Sequence, residues 1–74
     1  MSDGLRALLN RNVRVVLQDG SVMLGSLALV DERFNVGLRG ARDTALAGTP
    51  LERASADTIR IVRGVEITGV FAVE

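Results

Sequence analysis

Several residue types are absent or rare in this chain: it has no cysteine, histidine, tryptophan or tyrosine, one proline and two phenylalanines. Without cysteine it forms no disulfide, and without cysteine or histidine it has few soft ligands for a structural metal. A domain of 74 residues buries only about 60% of its unfolded surface, so its core is marginal. We therefore expect partner subunits to stabilise it.

Lysine is also absent, so all nine cations are arginine, and the formal net charge is zero. A neutral chain is not expected to bind duplex nucleic acid tightly and without specificity. Arginine offers a planar guanidinium that can stack on flat groups and donate two parallel hydrogen bonds. An arginine-biased genome is an alternative explanation of the same composition. With no histidine, cysteine, lysine or tyrosine and no pair of carboxylates at a spacing that suggests a shared site, we expect neither an enzyme nor a cofactor or metal site. The alternative is a metal hydrolase built from Asp and Glu alone, for which the sequence has no motif.

Long apolar runs are missing, although 47% of the residues are hydrophobic. No run approaches the roughly 18 residues of a spanning helix. The N-terminus has no basic segment followed by an apolar one, as a signal peptide would. These features predict a soluble intracellular domain.

The chain begins with a helical pattern and then changes period. Ser2 and Asp3 are candidate N-caps, Leu5, Leu8 and Leu9 follow at helical spacing, and Asn10 is a reasonable end. We predict one amphipathic helix over about residues 3–10, too short to be stable alone.

Five strands are predicted after the helix. Val13, Val15 and Leu17 alternate with polar residues, and Asp19-Gly20 predicts a hairpin turn with positive φ at both positions. Gly25 predicts a bend in a second strand over residues 22–30. Phe34, Val36 and Leu38 lie on one face of a predicted third strand, and a variable loop flanked by strand extensions follows over about 43–57. Ile59 and Ile61 lie on one face of a fourth strand over 58–63. The fifth strand is predicted from one alternation of apolar residues with a bend at Gly69, and these residues are Val65, Ile67, Phe71 and Val73.

These elements predict a mainly β fold: a short N-terminal helix followed by a five-stranded, strongly bent antiparallel small barrel. The fourth and fifth strands are apolar on more than one face and carry neither lysine nor proline. Unprotected strands of this kind invite pairing with another chain. We interpret them as subunit interfaces; the alternative is burial within a fully closed monomer.

One ordered set of residues runs through these elements: Val13, Val15, Leu17, Asp19-Gly20, Gly25, Leu27, Asp31 to Asn35 and Leu38, then Ile61-Val62-Arg63-Gly64 and Ile67. This pattern resembles the Sm and Sm-like (LSm) proteins over nearly the whole chain, as a single domain over residues 1–74. The first Sm motif falls at about 13–42 and the second at about 58–73. Leu9-Asn10-Arg11 and the Ile-Val-Arg-Gly string are similar to eukaryotic members, and in particular to the paralogue of the nuclear ring.

The resemblance implies a homomeric or heteromeric ring, expected to be a heptamer, in which the fourth strand of one subunit pairs with the fifth of its neighbour. It also implies a pocket for uridine-rich single-stranded RNA near the central hole. The residues implied in RNA binding are Asp31, Arg33, Asn35, Arg63 and Gly64.

The chemistry of these residues suits a base. The Asn35 amide offers donors and an acceptor, as the uracil edge does, and Asp31 is placed to fix its orientation. Arg63 can stack on a base or hydrogen-bond to it. The alternatives are that Asp31 and Asn35 only close a turn and that Arg63 is solvated. We predict that Phe34 packs in the core, that Gly64 lets the chain reverse, and that Arg6, Arg11 and Arg14 are solvated; the alternative for these three arginines is contact with RNA on the helix-bearing face.

Two positions depart from the family pattern. Arg33 stands where an aromatic side chain is common, and two arginines on one base repel each other unless a phosphate is near. Val65-Glu66 follows Arg63-Gly64 where many relatives have Asp or Asn.

Two functions compete. The first is a ring subunit that binds the uridine-rich 3′ end of RNA, in pre-mRNA splicing on U6 small nuclear RNA or in mRNA decay, located in the nucleus or the cytoplasm. The second is a protein–protein scaffold that contacts RNA little. Neither function includes DNA or a membrane as a partner.

Overall fold

The computed structural model describes residues 3–73, which form a short helix and five strands. The elements are α1 (Asp3–Arg6), β1 (Asn12–Leu17), β2 (Val22–Val30), β3 (Val36–Asp43), β4 (Ile59–Val62) and β5 (Ile67–Ala72), with 3₁₀ turns at Thr44–Leu46 and Gly64–Glu66. The candidate cap Ser2 and the side chain of Asp3 lie outside the described part. Within residues 3–73, no helix is long and apolar enough to cross a membrane.

The helix is shorter than predicted, but the turns that continue it end at Asn10, as predicted. After Arg6 the chain continues as single turns, in which Leu8 N–H donates to the Leu5 carbonyl at 3.1 Å. Asn10 has a φ of 67°, a left-handed conformation that asparagine tolerates at a helix end. Leu5 and Leu8 pack against the core, so the helix lies on the sheet.

The hairpin between β1 and β2 differs in detail from the prediction. Gly20 has a φ of +87°, whereas Asp19 has no positive φ. Leu17 N–H donates to the Ser21 carbonyl at 2.9 Å, and Gly20 N–H donates to the Leu17 carbonyl at 2.9 Å. Three residues therefore lie between the paired residues Leu17 and Ser21, and such a loop needs the left-handed conformation only at its last position, Gly20.

The core lies on one face of the sheet. Val13 and Val15 of β1 and Val36 and Leu38 of β3 are fully buried, as their alternation predicted. The other buried hydrophobic residues are Met23, Leu27, Ala41 and Val62. Burying one such side chain stabilises the fold by about 1.5–3 kcal/mol.

Gly25 marks the predicted bend of β2. The pairing of β2 with β3 is irregular between Leu24 and Ser26. A Cβ at Gly25 would lie 3.1 Å from the Arg39 carbonyl oxygen and 3.2 Å from the Leu38 Cβ. Glycine therefore permits the close approach of the two strands at the bend.

The fifth strand contradicts its predicted phase. It begins at Ile67, after the 3₁₀ turn that contains Val65. Val16 pairs with Gly69 but Leu17 pairs with Ile67, so Thr68 is an extra residue on β5. This bulge lets both Ile67 and Val70 pack against the core, and Phe71, 49% exposed, stays on the outer face.

The variable loop has the strand extensions predicted for it. β3 continues to Asp43, and Arg42 forms an isolated antiparallel bridge with Arg53. The loop is further tied to β2 because Thr44 Oγ1 donates to the Val22 carbonyl at 2.7 Å and accepts from Val22 N–H at 3.1 Å.

The sheet has the order β4-β3-β2-β1-β5, and neighbouring strands are antiparallel. This confirms the predicted fold class, as a bent open sheet. The alternative of a fully closed monomer is wrong, because β4 and β5 lie at opposite edges with no pairing between them in residues 3–73. Ile61 on β4 is 57% exposed.

Candidate nucleic-acid interface

The loop between β2 and β3 is organised by the carboxylate of Asp31. Its Oδ1 accepts from Arg33 N–H at 2.8 Å and from Asn35 N–H at 3.0 Å. Its Oδ2 accepts from the Asn35 side-chain amide Nδ2 at 2.9 Å. The predicted fixing of the Asn35 amide by Asp31 is therefore present in the structure.

These bonds also shift the acidity of Asp31. The hydrogen bond from the Asn35 side chain, followed by those from the Arg33 and Asn35 backbone and the nearby Arg33 charge, lowers the pKa of Asp31 below its ordinary 3.8. Each of these interactions favours the ionised carboxylate. The loop is thus held by a carboxylate that stays charged at neutral pH.

Asn35 joins this loop to the one between β4 and β5. Its Oδ1 accepts from Gly64 N–H at 2.7 Å, in a partly buried hydrogen bond. An amide side chain offers two donor hydrogens and two acceptor lone pairs. In the described part of the chain, Asp31 and Gly64 use one of each, which leaves one donor and one acceptor for a ligand.

Gly64 is required for a reason other than the one predicted. Its φ is not positive, so chain reversal does not demand glycine. A Cβ at this position would overlap the Arg33 carbonyl oxygen and lie 2.9 Å from the carbonyl carbon of Phe34. The absence of a side chain lets the two loops touch.

The five predicted site residues thus lie in two loops that meet. Asp31, Arg33 and Asn35 come from one loop, and Arg63 and Gly64 from the other. Arg33 and Arg63 are both exposed. The oriented Asn35 amide can hydrogen-bond to a base edge, and the arginines on the two loops that it joins can stack on the face of a base.

Phe34 contradicts its predicted place in the core. It precedes β3, is 43% exposed and has a φ of 62°, which is rare for a bulky side chain. The turn holds it there, since Phe34 N–H donates to the Asp31 carbonyl at 3.1 Å. The Asp31 and Asn35 turn residues around it were the signal that the strand had not yet begun.

Phe34 lines an open groove of about 640 Å³ beside the two loops. Arg33 and Val65 line the same groove, together with Leu5 and Leu8 of the helix segment. Val65, 71% exposed, was assigned to the fifth strand from the sequence. Its position in a 3₁₀ turn between the strands places it at the site.

Comparison with solved structures identifies the fold. An Sm-like (SmAP, LSm) protein from Methanococcus vannielii is 30% identical, with a TM-score of 0.74 over 93% of this chain and 88% of that one. The chain belongs to the Sm-like family. An Sm-like protein from Pyrobaculum aerophilum is 28% identical, with a TM-score of 0.80 over the whole of this Sm-like chain and 52% of its own length. This Sm-like chain therefore spans about half of that longer protein.

Other archaeal structures share the Sm-like fold at lower identity. A Pyrococcus abyssii Sm protein, solved in complex with a uridine heptamer, is 24% identical, with a TM-score of 0.80 over 96% of this chain and 94% of that one. Two heptameric archaeal Sm proteins are 20% and 21% identical, with TM-scores of 0.79 and 0.78. No protein-family model and no curated protein matches the chain.

Proposed function

We propose that this Sm-like chain is the RNA-binding subunit of a ring that holds uridine-rich, 3′-terminal single-stranded RNA. The observation that carries the proposal is the Asn35 side chain, clamped by Asp31 at 2.9 Å and by Gly64 at 2.7 Å. A clamped amide presents its remaining donor and acceptor in a fixed direction. Uracil and cytosine both offer a donor and an acceptor on this edge, but in opposite order, so an amide held in one orientation matches only one of them, and we propose that this one is uridine.

Arg63 and Arg33 complete the proposed pocket. Stacking of one base contributes about 1–3 kcal/mol, so a single pocket binds weakly. Two guanidiniums on one base repel each other, which phosphates of the bound RNA would offset. The role proposed is binding and not catalysis.

A ring is proposed because it repeats this weak pocket along one RNA strand and because it covers the open edges. Ile59 and Ile61 on β4 and Phe71 on β5 are 39%, 57% and 49% exposed, and neither strand carries lysine or proline. Pairing of β4 with β5 of the next subunit would satisfy both edges. The heptameric state of two structures with this fold supports a ring of seven. Linked pockets gain effective concentration.

The cellular role is proposed from the resemblance to eukaryotic members alone. Leu9-Asn10-Arg11 and Ile61 to Gly64 favour a place in pre-mRNA splicing on U6 small nuclear RNA, with a nuclear location, or in cytoplasmic mRNA decay. The similar structures are archaeal and support the ring and RNA without either pathway. A homomeric ring and a mixed ring are both compatible with these edges.

The competing function is a ring subunit that serves as a protein scaffold. It is favoured by Val65, which is 71% exposed and lines the groove beside Arg33. An apolar side chain next to the base site suits a protein contact better than an RNA one.

The test measures binding of oligo-uridine and oligo-cytidine to the assembled protein by fluorescence anisotropy. We expect a preference for oligo-uridine. Asn35→Ala should remove the preference, and Arg63→Ala should weaken oligo-uridine binding by about 5- to 150-fold, which corresponds to one lost stacking contact. Arg60→Ala, on β4 and outside the two loops of the site, is the matched control for lost charge.

Native mass spectrometry of the same samples reports the assembly. We expect a mass several times that of one chain, alone or with co-expressed relatives. An assembled ring whose affinity is unchanged by both Asn35→Ala and Arg63→Ala would favour the scaffold. A stable monomer would contradict the ring.

A further inference from the structure

Four of the nine arginines lie together on the outer face of the sheet, away from the Asn35 pocket. Directly paired residues of antiparallel strands share a face. Arg14 on β1 pairs with Leu24 on β2, and Leu24 pairs with Arg42 on β3. The bridge from Arg42 to Arg53 continues this row.

Arg39 joins the same face through a bulge. Arg39 and Arg42 are three residues apart and would face opposite ways in a regular strand. Gly40, with a φ of +63°, interrupts the strand, so that Ser26 pairs with Arg39 and Leu24 with Arg42. We call Arg14, Arg39, Arg42 and Arg53 the arginine face.

Charge on the arginine face is unbalanced although the chain is neutral. Glu52 contacts the face through a 2.7 Å bond to Arg42. The hydrogen bond from the Gly48 backbone N–H lowers the pKa of Glu52 most, followed by the Arg42 hydrogen bond and the charges of Arg42 and Arg53. Asp43 points to the other side, because it pairs with the core residue Met23. Within residues 3–73, four cations and one contacting carboxylate make this a positive surface.

Flat and apolar side chains lie among these cations. The Arg14 guanidinium sits over the Phe71 ring, 5.5 Å from its centroid, so Arg14 is not simply solvated. Arg42, Arg53, Leu24 and Val73 line one groove of about 300 Å³. Alternation of guanidinium with aromatic and aliphatic surface suits the phosphates and base faces of a single strand, whereas an acidic peptide would need the charges alone.

We infer that the arginine face is a second contact surface for single-stranded RNA, which binds its backbone without base preference. This surface goes beyond the uridine pocket because it uses different residues on a different face. In a ring it would recur on every subunit and would extend the path of an RNA whose end lies in the Asn35 pockets.

The test uses oligo-adenylate as the probe, because the Asn35 clamp favours uridine. Binding to the wild type and to the double variant Arg39→Gln/Arg53→Gln is measured over a range of salt concentrations. For single strands, each phosphate contact contributes about 0.7 to the slope of log K against log salt. We expect the slope to fall by about 1.4, and the affinity at 0.1 M salt to fall by about 25-fold, for each subunit that the oligonucleotide contacts.

Three controls separate this inference from the proposed function. Arg60→Gln removes one charge on the opposite face of the sheet, because Arg60 pairs with the core residue Leu38, and should leave the slope unchanged. Asn35→Ala should remove uridine preference and keep oligo-adenylate binding, so each site can fail without the other. Ultraviolet cross-linking of wild-type protein to oligo-adenylate should label the Leu24 and Arg53 peptides, and this readout does not depend on how the double variant folds.

An unchanged slope in the folded double variant, or cross-links confined to the Phe34 and Arg63 peptides, would overturn the inference. Tighter binding of polyglutamate than of oligo-adenylate would assign the face to an acidic protein segment and would also overturn it.

Discussion

Replacing Gly64 with alanine should damage both stability and RNA binding, because this one position joins the two loops of the site. The new Cβ would overlap the Arg33 carbonyl oxygen and lie 2.9 Å from two Phe34 backbone atoms. These are backbone atoms, so a rotamer change cannot relieve the overlap, and overpacking of this kind costs about 1–3 kcal/mol. Separation of the loops also breaks the Asn35–Gly64 hydrogen bond, which contributes about 1 kcal/mol.

The two effects add to a loss of about 2–4 kcal/mol. A chain of 74 residues is stabilised by only about 4–11 kcal/mol, so the loss is a large share of the total. Urea denaturation followed by circular dichroism measures it, at one fixed protein concentration because assembly stabilises the folded state. Binding of oligo-uridine should weaken in parallel, since Asn35 loses one of its two clamps.

Gly48→Ala is the matched control. Gly48 has a φ of +82°, and a Cβ added there would meet no atom within 4 Å, so alanine costs about 1–2 kcal/mol of backbone strain alone. This variant should lose stability and keep its RNA affinity. A Gly64→Ala protein that denatures within about 0.5 kcal/mol of wild type and binds oligo-uridine unchanged would refute the role given to Gly64.

Three further outcomes are expected. The pKa of Asp31 is lowered from 3.8, so its stabilisation of the loop is complete above that pH and is lost as the pH falls through the folded pKa. The chemical shift of the Asn35 side-chain amide in NMR should therefore stay constant from neutral pH to about 4 and change below that pH. A change near pH 6 would contradict this assignment. Arg33→Tyr should tighten oligo-uridine binding in anisotropy measurements, because an aromatic ring stacks without repelling Arg63; weaker binding would show that the Arg33 charge is needed. Ile61→Lys should reduce the native mass by blocking the β4 edge, whereas Leu51→Lys, at a loop residue 66% exposed, should not; equal effects would argue against β4 as an interface.

Much of the fold could be predicted from local patterns. The alternation of Val13 with Val15, and of Val36 with Leu38, follows directly from the two-residue period of a strand, and all four are buried. The Asp31–Asn35 clamp was predictable for a similar reason, because both residue types form local side-chain bonds at turns.

The differences arise where one extra residue changes the phase of a strand. Nothing in the composition of β5 marks Thr68 as a bulge, so Val65 and Phe71 were predicted to follow a single alternation. Phe34 was assigned inward because it lies two residues before Val36, but the turn closed by Asp31 ends after it. The Asp19-Gly20 pair fits hairpin loops of two or three residues equally, and the Leu17–Ser21 pairing decides between them.

The contact of Gly64 with the Arg33–Phe34 backbone could not be predicted from the residues adjacent to Gly64 in the sequence. The two segments are separated by about thirty residues in sequence, and the requirement for glycine comes from tertiary packing and not from its own φ. The sequence pattern predicts that Gly64 is important, but only the three-dimensional structure shows that a side chain at this position would overlap the other loop.

The bulge at Thr68 has a consequence for how this chain is aligned with distant relatives. Because two residues of β5 stand opposite one step of β1 there, inward and outward positions exchange at that point. The β5 strand of a relative that lacks the extra residue would be aligned to this strand without a gap, because both are apolar. Beyond the bulge, each inward-facing residue of that relative would then be matched to an outward-facing residue of this chain. Alignments at identities of 20–30% should therefore place any single-residue gap of β5 at Thr68, so that Ile67 and Val70 are both matched to core positions.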